Sequence, residues 1–250
     1  MTRRPEGAAA PSGPTLLLIA HGSRDPRHAA TVDRLVGAVR ALRPGLDVAT
    51  AYLDHCAPRI PQVLGRLTDA VAVPLLLSRA YHAKHDIPAA LRAAGAALPV
   101  ADVLGPSPLL LDALDRRLAE AGLDVRSPAV RARTGVVLAS AGSSDPAANA
   151  ATRAVAATWQ ATRGWAAVEL AHASTGGPTV QDAIAALRAR GAARTAVAPY
   201  LLAPGLLPDR ITAAATDADL VADVLGASPE LAHLLLARYD AAALTAALAA

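Results

Sequence analysis

The chain has 250 residues, of which 53% are hydrophobic and 18% charged, as expected of a globular protein long enough for two domains. A net charge of +3 without a basic run, and few aromatic residues, argue against nucleic-acid binding. The single cysteine, Cys56, allows no intrachain disulfide and favours a reducing, cytoplasmic location. No apolar stretch approaches the roughly 18 residues that a membrane span needs, so we expect no membrane partner.

Short apolar segments alternate with helical patterns along the chain, after a tail at residues 1–14 that is predicted to be disordered. The strands predicted in the first half are 15–20, 46–53, 70–78 and 100–104, followed in turn by helices 27–42, 58–68, 86–97 and 108–121. The strands predicted in the second half are 134–140, 166–173, 195–202 and 220–225, followed by helices 147–162, 179–190, 208–217 and 229–237.

This alternation predicts an α/β protein, because parallel strands need helical crossovers to connect them. We expect two tandem flavodoxin-like domains at residues 15–121 and 134–250, joined by a linker at 122–133. Each domain would hold a small parallel sheet of about four strands flanked by helices. Ligands of such folds bind beyond the carboxyl ends of the strands.

The two halves repeat the same motifs, and the repeat loses its histidines. The sequence HGSRDP starts at His21, and 120 residues later AGSSDP starts at Ala141. A second match, VADVLGPSP at residues 100–108 and VADVLGASP at 221–229, has an offset of 121. Two matches at nearly one offset indicate a duplicated domain. The first copy is therefore predicted to carry the chemistry and the second to shape the site.

Three side chains at predicted strand ends form the candidate site. His21 follows strand one and His82 follows strand three, and imidazole is a common metal ligand and near-neutral base. Aligning Pro74 with Pro199 puts Leu207 opposite His82, so this histidine is also lost from the copy. Asp54 follows strand two, either as a third ligand or proton acceptor or as a turn residue bonded to the backbone. Such a set suits a mid-to-late first-row ion such as Fe²⁺, Co²⁺ or Ni²⁺.

Three segments in order resemble the class II metal chelatases that act on sirohydrochlorin. They are HGSR from His21, the stretch from Pro74 to Pro88 that contains PLLLS and DIP, and LGxSP from Leu104. The resemblance spans nearly the whole chain in two copies. It implies that His21 and His82 bind the metal and help to take protons from the pyrrole nitrogens. It places Asp54 where the family often has a glutamate.

The resemblance also implies a substrate with many carboxylates. Ser23 is assigned to substrate binding because its loop presents backbone N–H groups to an anion. Four further residues are assigned to the same role, and the alternative for each is an ordinary solvent-exposed side chain. The four are Arg24, Arg79, Lys84 and His85.

The function expected from the sequence is insertion of Fe²⁺ or Co²⁺ into sirohydrochlorin, in siroheme or cobalamin biosynthesis. The metal would be a substrate, no organic cofactor would be needed, and a monomer would close its own cleft around the tetrapyrrole. One active site is expected per chain, because the second half lacks both histidines. The alternative is a carrier that binds the metal or the tetrapyrrole without turnover.

Overall fold

The computed structural model describes residues 13–78, 86–174 and 177–249. Seven parallel strands lie in two sheets within these ranges. The first sheet has the order β2-β1-β3 and the second β5-β4-β6-β7. In chain order the strands are β1 Thr15–Ala20, β2 Val48–Tyr52, β3 Ala70–Pro74, β4 Thr134–Ser140, β5 Ala167–His172, β6 Arg194–Pro199 and β7 Leu220–Val221.

Helices connect the strands and cover both faces of each sheet. They are α1 Pro26–Leu42, α2 Ile60–Leu64, α3 Ile87–Ala93, α4 Pro108–Glu120, α5 Pro128–Arg131, α6 Pro146–Arg163, α7 Val180–Ala189, α8 Leu206–Ala214 and α9 Pro229–Ala249. The fold class predicted from the sequence, α/β with two small parallel sheets flanked by helices, is confirmed.

The structure differs from the prediction most clearly at three places. The fourth strand of the first half is reduced to a single bridge between Val100 and Ala72, and its counterpart β7 has two residues rather than six. The segment at 122–133 contains the short helix α5. Helix α9 runs to Ala249, twelve residues beyond its predicted end at 237. The first and last differences lie at a sheet edge and at a helix end, where local pattern is a weak guide.

The two halves share one core, because each contributes a helix to the other. Helix α4, from the first half, packs against β6, whereas α9, from the second half, packs against α1, α4 and β3. The largest cluster of buried apolar side chains accordingly contains residues of both sheets. Burial of apolar surface between the halves stabilises their relative position by the same hydrophobic effect that folds each one.

Helix α9 is the described helix that has the length and apolar composition to cross a membrane, which the sequence analysis did not expect. It packs against α1, α4 and β3, with six of its side chains buried. They are Leu231, Ala232, Leu234, Leu235, Leu236 and Tyr239. Its last turns expose Leu244 and Leu248.

Candidate functional site

The loop after β1 is a tight turn that places His21 at the carboxyl edge of the first sheet. The Ser23 hydroxyl accepts a hydrogen bond from the Asp25 backbone N–H at 3.1 Å, and the Asp25 carboxylate caps α1 by accepting from the Arg27 N–H at 2.9 Å. Pro26 occupies the first turn of the helix, where the lack of an N–H costs little. His21 is half-buried at the start of this turn.

The loop after β2 is tied to the loop after β1. The Asp54 N–H donates to the His21 carbonyl oxygen at 2.8 Å, and the Cys56 thiol donates to the Ser23 carbonyl oxygen at 3.0 Å. These contacts bring Asp54 beside the backbone of His21, as expected for neighbouring parallel strands whose carboxyl ends share one edge.

The Asp54 carboxylate is engaged by its neighbours. Its Oδ1 accepts from the His55 N–H at 2.8 Å and from the Arg59 guanidinium at 2.9 Å. The hydrogen bond from His55 and that from Arg59 lower the pKa of Asp54, so the group is ionised at neutral pH. The side chain is about half exposed. An ionised carboxylate is able to act as a hard oxygen donor to a divalent ion.

A cleft of about 680 Å³ lies between the two halves. His21, Ser23 and Ser78 line it from the first half, and the loops 140–144 and 200–208 line it from the second. The wall from the second half is mostly apolar, with leucine, alanine, proline and glycine predominating in the stretch 201–208. The cleft therefore offers an apolar surface opposite the histidine loop.

Two cleft residues were missed by the sequence analysis. His28, which lies on α1, lines the cleft, and burial followed by the charge of His21 lowers its pKa. Tyr200 lines the cleft with a buried hydroxyl that has no hydrogen-bond partner among the described residues, and its burial raises its pKa. His28 lies within a predicted helix and not at a strand end, so the sequence did not indicate it as a site residue. A tyrosine in an apolar segment likewise has no sequence pattern that indicates a role in a site.

The second half reproduces the turn of the first without its side chains. Ala141 follows β4 as His21 follows β1, and the Ser143 hydroxyl accepts from the Asp145 N–H at 3.1 Å, as Ser23 does from Asp25. The strand register pairs Ala20 with Tyr52 and Ser140 with His172, which makes Ser174 the counterpart of Asp54. The candidate metal ligands His21 and Asp54 are therefore replaced in the second half by Ala141 and Ser174.

The register also supports the alignment used for the third strand. Ile19 pairs with Pro74 and Ala139 with Pro199, so the two prolines are equivalent. Leu207, which that alignment places opposite His82, lines the cleft.

Several predicted site residues fall outside the described ranges. They are Arg79, His82, Lys84 and His85. Ser78, which precedes them, lines the cleft. Arg24 is exposed on the loop after β1 and is not among the residues that line the cleft. Within residues 13–78, 86–174 and 177–249, no three His, Cys, Asp or Glu side chains converge to form a metal site.

Comparison with known proteins places this geometry in a family. The model of the CbiX family matches the chain twice, at residues 15–121 and 135–242. A sirohydrochlorin ferrochelatase of Priestia megaterium is 28% identical over 239 residues, which cover 88% of this chain and 87% of that protein. A sirohydrochlorin cobaltochelatase of the same organism is 28% identical over 212 residues, or 79% of this chain and 67% of that protein.

Solved structures share the fold. SirB from Bacillus subtilis with Fe³⁺ superposes with a TM-score of 0.76 at 23% identity, over 92% of this chain and 96% of that one. A structure of CbiX, described as the terminal enzyme for biosynthesis of siroheme in denitrifying bacteria, gives a TM-score of 0.68 at 23% identity, over 91% and 99%. With two matched repeats that together span most of its length, the chain belongs to the CbiX family.

Proposed function

We propose that this protein is a metal chelatase that inserts a divalent ion, Fe²⁺ or Co²⁺, into sirohydrochlorin for siroheme or cobalamin synthesis. The observation that carries the proposal is the position of His21, which is half-buried and lines a cleft formed by both halves of the chain. The names of the ferrochelatase and cobaltochelatase relatives support the same substrate and reaction.

The chemistry requires a metal ligand and a proton acceptor in one place. Insertion of a divalent ion into a free-base tetrapyrrole forms bonds to four ring nitrogens and releases two protons from the pyrrole N–H groups. A neutral imidazole either donates its lone pair to the ion or accepts one of these protons. We assign both tasks to His21 and His82, with the Asp54 carboxylate as the anionic group of the site.

The cleft would contribute to metal insertion by holding the tetrapyrrole in position. Holding the macrocycle next to a bound ion replaces a slow bimolecular encounter with an oriented reaction between neighbouring groups. The apolar side chains of the stretch 201–208 suit one face of a flat ring, and Ser23 lies in the same cleft. The substrate's carboxylates are assigned to Ser23, Arg24, Arg79, Lys84 and His85.

The test is an anaerobic absorbance assay with sirohydrochlorin and either Fe²⁺ or Co²⁺. We expect the wild-type protein to accelerate insertion over the metal-only rate and His21→Ala to lose that acceleration. His233→Ala is the matched control, because His233 is exposed on α9 and is not among the cleft residues. Tight binding of sirohydrochlorin or metal without acceleration would instead favour the carrier.

A further inference from the structure

A second cavity, of about 390 Å³, is lined by the segment 125–131, which joins the two repeats, and by residues 163–164 at the end of α6. It shares no lining residue with the cleft. Three of its lining residues are Arg126, Arg131 and Arg163, and none of the described residues that line it is acidic. We call it the arginine cavity. The proposed function uses none of these three residues.

The guanidinium of Arg131 is held rigidly in the wall of the arginine cavity. Its Nε donates to the Val125 carbonyl oxygen and its Nη1 to the Arg163 carbonyl oxygen at 2.9 Å. Its Nη2 donates to the Asp115 carboxylate at 3.1 Å, and its central carbon lies 5.2 Å from the centre of the Trp165 ring. A guanidinium has five N–H groups, so one on each terminal nitrogen is left for a ligand. Because the group is already fixed, binding would cost little side-chain entropy.

The guanidinium of Arg163 has a buried donor that lacks an acceptor. Its Nη2 donates to Asp112 at 2.6 Å, but its Nε is buried and has no hydrogen-bond partner among the described residues. The Asp115 carboxylate oxygen lies 3.8 Å from this Nε, which is too far for a hydrogen bond. A buried N–H of a charged group is costly without an acceptor, and an oxygen of a bound anion would supply one.

Arg126 brings a further cation to the arginine cavity. Its backbone N–H donates to Asp124 at 3.1 Å, whereas its exposed guanidinium makes no hydrogen bond or ion pair with the residues that the structure describes. The carboxylates that neighbour the three arginines belong to Asp112, Asp115 and Asp124, and none of them lines the cavity. A ligand in the cavity would therefore meet guanidinium groups and apolar side chains.

The chemistry of this lining favours a phosphate group. Guanidinium N–H groups match the oxygens of phosphate in pairs, and such charge-assisted hydrogen bonds are short and strong. A phosphate group carries about two negative charges near neutral pH and has at least three acceptor oxygens, so it is able to accept from several arginines at once. A carboxylate offers one charge and two oxygens.

We propose that the arginine cavity binds a phosphate group, free or as part of a small phosphate ester, through Arg126, Arg131 and Arg163. The site is distinct from the cleft, and the proposal does not depend on the chelatase activity. A volume of about 390 Å³ lies within the roughly 300–1,000 Å³ of small-molecule sites. It exceeds what one phosphate ion fills, so the organic part of an ester has space.

The experiment titrates the full chain with inorganic phosphate at constant ionic strength and follows tryptophan fluorescence. The chain has two tryptophans, and both are close to the cavity wall. Trp165 lies under Arg131, and the ring centres of Trp159 and Trp165 are 5.9 Å apart. We expect a saturable change in fluorescence with phosphate and a much weaker response to acetate at the same ionic strength.

Arg126→Gln is the variant, because this exposed side chain has no described partner that its loss would leave unpaired. We expect it to weaken phosphate binding about 10-fold, as loss of a charge-assisted hydrogen bond does. Arg153→Gln is the matched control, since Arg153 is an exposed arginine on α6 that does not line the arginine cavity. The control should bind phosphate as wild type does.

A second measurement uses the unaltered protein. The NMR signal of the Arg163 Nε–H should shift as phosphate is added, with the same midpoint as the fluorescence change. Wild-type affinity in Arg126→Gln, an equal loss in Arg153→Gln, an acetate response as strong as that to phosphate, or an unshifted Arg163 signal at saturation would each overturn the proposal.

A parallel titration with glycerol 3-phosphate distinguishes the two sources of the phosphate group. Tighter binding than that of inorganic phosphate, weakened in the same way by Arg126→Gln, would support a phosphate ester as the ligand. Equal or weaker binding, with the same dependence on Arg126, would support the free ion.

Discussion

The carbonyl oxygen of Asp54 lies 1.7 Å from the position that a β-carbon on Gly22 would occupy. Gly22 also has φ +93°, so glycine is required there both by the backbone conformation and by the lack of space. The contact explains how the loop after β2 approaches the histidine loop closely enough for Asp54 to donate its N–H to the His21 carbonyl oxygen. The site is therefore assembled on a backbone contact between two loops.

Gly22→Ala is expected to disrupt this contact. Its matched control is Gly45→Ala, because Gly45 has nearly the same φ, +90°, but open space around its missing β-carbon. The control should lose about 1–2 kcal/mol through the left-handed backbone alone. Gly22→Ala should lose about 1–3 kcal/mol more through overpacking. Urea unfolding of both variants measures the difference, and equal losses would contradict the close contact.

His21→Ala should abolish insertion without unfolding the chain. Ala141 already occupies the equivalent position of a turn in which an aspartate N–H likewise donates to a serine hydroxyl, so the turn does not need a histidine. We expect the insertion rate to fall at least about 100-fold, since a positioned proton acceptor or ligand contributes that much or more. Circular dichroism and thermal melting provide the check on the fold. An unfolded variant would show that the imidazole is structural.

His28 should make the stability of the protein depend on pH. Burial, and then the charge of His21, hold its pKa below the usual 6.5, while Asp25 acts in the opposite direction. The folded state therefore binds fewer protons than the unfolded state in the window between the lowered pKa and 6.5. Stability is fully present above that window and is lost as the pH falls through it.

The variant that tests this pH dependence is His28→Gln, because the glutamine side chain does not titrate. Its free energy of unfolding should fall less than that of wild type as the pH is lowered from about 8 to 5. Urea midpoints across this range measure the difference. Parallel pH profiles for the two proteins would mean that His28 is not held neutral by burial.

Among the acidic residues at the junction of the two halves, Asp115 should be the one whose substitution destabilises the fold most. Its Oδ1 accepts from Trp159 Nε1 at 2.9 Å, and its Oδ2 lies 3.1 Å from the guanidinium of Arg131. Asp115 lies on α4 and Trp159 on α6, so the hydrogen bond joins helices from opposite halves. Asp115→Ala leaves the buried Trp159 Nε1 without this acceptor and removes the carboxylate that pairs with Arg131, whose guanidinium still donates to the Val125 and Arg163 carbonyl oxygens.

We expect Asp115→Ala to reduce the free energy of unfolding by about 3–5 kcal/mol, as breaking a buried charge pair does. Asp112, one turn earlier on α4, is the control, because its side chain is 41% exposed and pairs with Arg163 at the surface. Asp112→Ala should cost less than about 1 kcal/mol. Guanidinium unfolding measures both, and similar losses would contradict a buried role for Asp115.

Strand prediction was most accurate where a segment is central to its sheet. β1 and β4 have the predicted boundaries, since a strand covered on both faces appears as a short continuous apolar run. The segment at 100–104 fails because it lies at a sheet edge, where Ala72 alone among the strand residues bridges to it. The length of α9 was underestimated, although residues 238–249 contain no glycine or proline to end a helix.

The structure describes the positions of two of the predicted site residues that follow strands. The positions of His21 and Asp54 at neighbouring strand ends followed from strand order, and their proximity is seen in the hydrogen bond between their backbones. The functional roles assigned to these two residues, and to Ser23, Arg24, Arg79, His82, Lys84 and His85, remain predictions. The adjacency of His21 and His55 was not predicted, because it depends on hydrogen bonds between the loops after β1 and β2 that leave no pattern in the sequence.

The sequence by itself determined the duplication, the α/β class and the loss of the histidines from the second copy. Each of these follows from local hydrophobic patterns and from the spacing of repeated motifs along the chain. Tertiary structure alone decided that α4 and α9 are shared between the halves and that the apolar stretch 201–208 and His21 line the same cleft. Such relationships arise from packing between segments far apart in sequence, and shape and burial set them without leaving a periodic signal.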